Sequence, residues 1–202
     1  MNETDLLKGR LDEETLNNLR EHIGAESNEQ TETAATGIIS TLIAGLAKNT
    51  ERPDGTNSLL SALDRDHDGS ILDDAMNLLL GRKQPKNPKT TNGQGILEHI
   101  FGNKQDKLNE VVGRSSGLDK SKIFKLMITL APLVLGALGK AKRNRGIDGN
   151  GISDLLRGTV QRQTAQRQEM SLIERLLNSD GNGNFMEEIA DLGSNAFLSN
   201  RK

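Results

Sequence analysis

Thr33 to Asn49 reads TAATGIISTLIAGLAKN and is apolar on nearly all sides. A helix without a polar face has to be wrapped by others, so this one belongs in the middle of a domain. A second segment, LMITLAPLVLGALG from Leu126 to Gly139, makes the same demand. Its uncharged run is too short to span a bilayer and carries Pro132, so it also reads as a buried helix. Two such segments require a body in which the remaining chain covers both.

The remaining chain offers helices for that purpose. No sustained apolar–polar alternation appears, whereas helical spacing recurs throughout. LDEETLNNLREHIG sets Leu16, Leu19 and Ile23 on one face, with Asp12 as the expected N-cap and Gly24 as the expected stop. Four Phe and no Tyr or Trp leave the core to Leu, Ile, Val, Ala and Met, which suit helix-on-helix packing better than sheets. The expected class is all-α.

The segments occur in the same order twice. LNNLREHIGA at Leu16 returns as LNEVVGRSSGL at Leu108, and ISTLIAGLAKN at Ile39 as LAPLVLGALGK at Leu130, with Gly136 falling on Gly45. DGTNSLLSAL at Asp54 returns as DGNGISDLL at Asp148, and LDRDHDGSILDDA at Leu63 as LNSDGNGNFMEEI at Leu177. Four matches in order point to an internally duplicated multi-helix bundle. Residues 1–81 form the first repeat, 95–202 the second, and 82–94, rich in Pro, Lys and Asn, the linker. The sequence leaves open whether the halves are separate or pack as one pseudo-symmetric body.

The last pair of blocks carries the chemistry. From Asp64, the first loop has Asp64, Asp66 and Asp68 at positions 1, 3 and 5, Gly69 at position 6 and the Ser70 carbonyl at position 7. Ile71 follows as an apolar anchor. That is the front half of an EF-hand calcium loop, in which alternate hard oxygens converge around a sharp glycine turn. The second loop places Asn178, Asp180, Asn182 and Asn184 at the same positions. An EF-hand closes with an acid at position 12, but here Ala75 and Ile189 stand there, and the acids are Asp73 and Asp74, then Glu187 and Glu188. Calcium is the expected ion, bound more tightly by the first loop, which has five carboxylates against three. Without metal, the same residues make a polar helix–turn–helix corner with acids at a helix start.

Other candidates read plainly. His67 falls at a loop position that points outward, so it is expected to be solvated. His22 and His99 sit in amphipathic helix segments as surface or half-buried residues. GKAKRNRG, Gly139 to Gly146, reads as basic charge at a helix C-terminus. There is no cysteine for a thiolate site or disulfide. A formal net charge of −2 gives no electrostatic reason for a nucleic-acid partner. The polar, acidic N-terminus reads as cytoplasmic, with no membrane partner, although leaderless export stays open.

GIISTLIAGLAKNT, GILEHIFGNKQ, LMITLAPLVLGALGK and GISDLLRGTV together resemble the bacterial DUF937 family, over residues 10 to 198. The resemblance implies a mostly helical bacterial protein and carries no site residues. The expected function is therefore a non-enzymatic helical protein with two calcium-binding loops in a structural or assembly role. The alternative is a metal-independent protein–protein or self-association module whose acidic loops are only turns. In that case the glycine-bearing apolar helices, Gly37 to Leu46 and Leu126 to Gly139, would supply the contact face.

Overall fold

The computed structural model describes residues 12–73, 77, 83–84 and 87–164. Helix α1, Glu13–Ile23, starts where the Asp12 carboxylate accepts the Thr15 N–H at 2.8 Å and ends on Gly24 at φ 71°. It buries Leu16, Leu19 and Ile23, the face expected from their spacing. Helix α2, Asn28–Asn49, begins a turn earlier than Thr33 because the Ser27 hydroxyl caps it through Gln30 N. Helix α3, Pro53–Arg65, follows. Asp54 and Gly55 lie in its first turn behind Pro53, whose fixed φ suits a helix start. Gly55 is there for close approach: a Cβ would stand 2.0 Å from the Asn49 carbonyl oxygen.

Two 3₁₀ turns, Ser70–Asp73 and Pro88–Thr91, precede α4, Gly93–Phe101. A further 3₁₀ turn, Gly102–Lys104, leads into α5, Gln105–Ser116. Helix α6, Lys120–Arg145, and α7, Gly149–Thr164, complete the described chain. Among the described residues there is no strand, and the fold is all-α.

The two apolar segments meet at the centre. Helix α6 packs along α2, and both bury residues all round, including Leu42 on α2 and Leu126, Met127 and Leu130 on α6 at no more than 2% exposure. Truncating any of these leucines to Ala costs about 2–5 kcal/mol. By length and composition α6 could cross a membrane, but 72% of its most apolar window is buried inside the fold, as in a core helix. Both glycine-bearing helices are thus used within the chain's own core, which corrects the expectation that they offer a contact face.

Pro132 does not break α6. Proline has no N–H to give the carbonyl four residues back, here Ile128. Gly93, the first residue of α4, lies directly on that carbonyl, and a Cβ there would be 1.9 Å from the oxygen. The freed carbonyl therefore marks where α4 docks.

The outer helices cross between halves. Helix α3 packs on α6 and α7, while α7 packs on α2. Helices α4 and α5 contact both α6 and α2. Elements on either side of residues 82–94 therefore share one core.

Candidate functional site

The acidic loop begins as α3 ends. The N–H groups of Asp66 and His67 both donate to the Ala62 carbonyl at 3.0 Å, which turns the chain off the helix axis. Gly69, at φ 94°, makes the sharp turn expected at that position. Asp68 Oδ1 accepts the Ser70 N–H at 3.0 Å, so its side chain closes the loop on itself. Ile71 and Leu72, at 1% and 6% exposure, then anchor the 3₁₀ turn in the core. Ile71 fits where α6 has Gly136, at which a Cβ would meet its Cγ2 at 2.5 Å.

The loop backbone lies on α6. A Cβ at Gly139 would sit 1.8 Å from the His67 carbonyl oxygen, so only glycine permits this contact. The approach brings the loop to the basic end of α6. Asp64 pairs with Lys142, and Asp68 Oδ2 accepts from Arg143 Nη1 at 3.3 Å. Asp66 Oδ1 instead accepts from Asn87 Nδ2 at 2.9 Å. The Ser70 N–H, with Arg143 behind it, holds the Asp68 carboxyl below the usual carboxylate range.

The three aspartates thus answer to three different partners. Among the described residues no three His, Asp or Glu side chains converge as a metal site would require. Ser70 opens the 3₁₀ turn and Asp73 ends it. Asp74 and the whole second loop, Asn178, Asp180, Asn182, Asn184, Glu187 and Glu188, lie outside the described residues. The cleft beside the first loop, about 590 Å³, is lined by Asp64, Asp68 and Asp148 together with Lys142 and Arg143.

Sequence reasoning missed two features here. Lys142 and Arg143, read as dipole-complementing charge, are the loop's counter-ions. They stand 78 and 75 residues from their partners, and no local pattern links them. His67, expected to be solvated, is buried at 4% exposure, and its Nδ1 has no hydrogen-bond partner. The turn that presses its carbonyl onto Gly139 carries the ring inward. Burial lowers its pKa from the ordinary 6.5, opposed by the neighbouring Asp66 and Asp68 charges. His22 and His99 are exposed.

No curated protein matches the chain, and no solved structure matches it. One family model does, described as a bacterial protein of unknown function (DUF937), over residues 5–141. The match takes in the first acidic loop and nearly all of α6 but stops before Lys142, and it is shorter at the C-terminal end than the resemblance read from the sequence. Because it spans well over half of the chain, the chain belongs to the DUF937 family.

Proposed function

We propose that this protein is a non-enzymatic helical module acting by binding or assembly, in which the loop from Asp64 to Ser70 is a charge-paired clasp between the chain's two halves. The observation that carries this reading is the loop's attachment to the end of α6: Asp64 with Lys142 and Asp68 with Arg143, over a backbone laid on Gly139. The packing gives the clasp something to hold, since α3 lies on α6 while α7 lies on α2. That reciprocity supports the duplication read from the sequence. With these cations in place, the carboxylate crowding that would otherwise call for a divalent ion is already relieved.

A second reading keeps calcium in the loop. Asp64, Asp66 and Asp68 stand at alternate positions before a glycine at φ 94°, and the Asp64 and Asp68 side chains are 62% and 48% exposed. An ion would enter by displacing Lys142 and Arg143, so the two states would exclude each other.

Calorimetric titration with calcium separates the readings. The clasp predicts no saturable heat up to millimolar calcium in the wild-type chain. Removing the competing cations in Lys142→Ala/Arg143→Ala should not create a strong site either, because Asp66 turns toward Asn87. Saturable micromolar binding that Asp66→Ala abolishes would establish the calcium reading instead.

A further inference from the structure

We draw no further inference here: the strongest candidate, the cavity of about 340 Å³ between α3 and α4 with its apolar lining of Leu46, Leu59, Ile96, Ile100 and Leu135, carries none, because nothing in the structure shows what covers it.

Discussion

An imidazole drawn out of water resists protonation: burial lowers the pKa of His67, and partial desolvation, with the Lys125 charge adding to it, lowers that of the more exposed His22. The unfolded chain therefore takes up more protons than the folded one as pH falls through the ordinary value of 6.5, so stability is full above that value and is lost below it. The lowered carboxylates work in another window. Asp68, held by the Ser70 N–H, Glu110, held by Lys120, and Asp119, held by the Lys122 N–H, lose their contribution only in acid below the ordinary carboxylate range. The melting temperature should accordingly fall between pH 7.5 and 5.5, and His67→Gln should flatten that slope; an unchanged slope in the variant would remove His67 from the explanation. The glycines permit an equally local test. At Gly37 a Cβ would meet only Val112, at an ordinary 3.6 Å, so Gly37→Ala should stabilise the helix by about 0.5–1 kcal/mol. At Gly139 the same methyl collides with the His67 carbonyl, and Gly139→Ala should cost about 1–3 kcal/mol. Denaturant midpoints of the two variants shifting in opposite directions is the check.

At the scale of elements, the sequence was informative wherever structure is decided by near neighbours. Asp12 and Gly24 mark the ends of α1, and the unbroken apolar surfaces of α2 and α6 mark the core. It was uninformative where the deciding atom lies far along the chain. Gly55 resembles a turn residue until the Asn49 carbonyl is seen beneath it, and Gly93 precedes a helix without any sign that Ile128 awaits it. For the same reason the acidic loop was legible as a loop, with its glycine turn and its Ile71 anchor, whereas the destinations of its carboxylates were not. An EF-hand pattern records only which oxygens are available, and Lys142 and Arg143 compete for them from another helix. The clasp's ion pairs should be worth little singly. A double-mutant cycle on Asp64→Asn and Lys142→Met is expected to give a coupling of about 0.2–1 kcal/mol that shrinks in high salt. A coupling absent at low salt would leave the loop held by Arg143 on Asp68, Asn87 on Asp66 and the packing at Gly139, Gly136 and Ile71.

Taken as a whole, the molecule closes each half with the other. Helix α3 leaves the segment that precedes it to lie on α6 and α7, α7 returns to α2, and the clasp ties the end of α3 to the end of α6. Elements before and after residues 82–94 then contribute to one core, in which the central helices α2 and α6 pack on each other. Such a body has to unfold together. Differential scanning calorimetry of the full chain, run once in calcium and once in EDTA, measures this directly. The expected result is a single transition with matching calorimetric and van't Hoff enthalpies, at the same temperature in both buffers. Two resolved transitions would contradict the interlocked core, and a rise of several degrees in calcium would contradict the metal-free clasp.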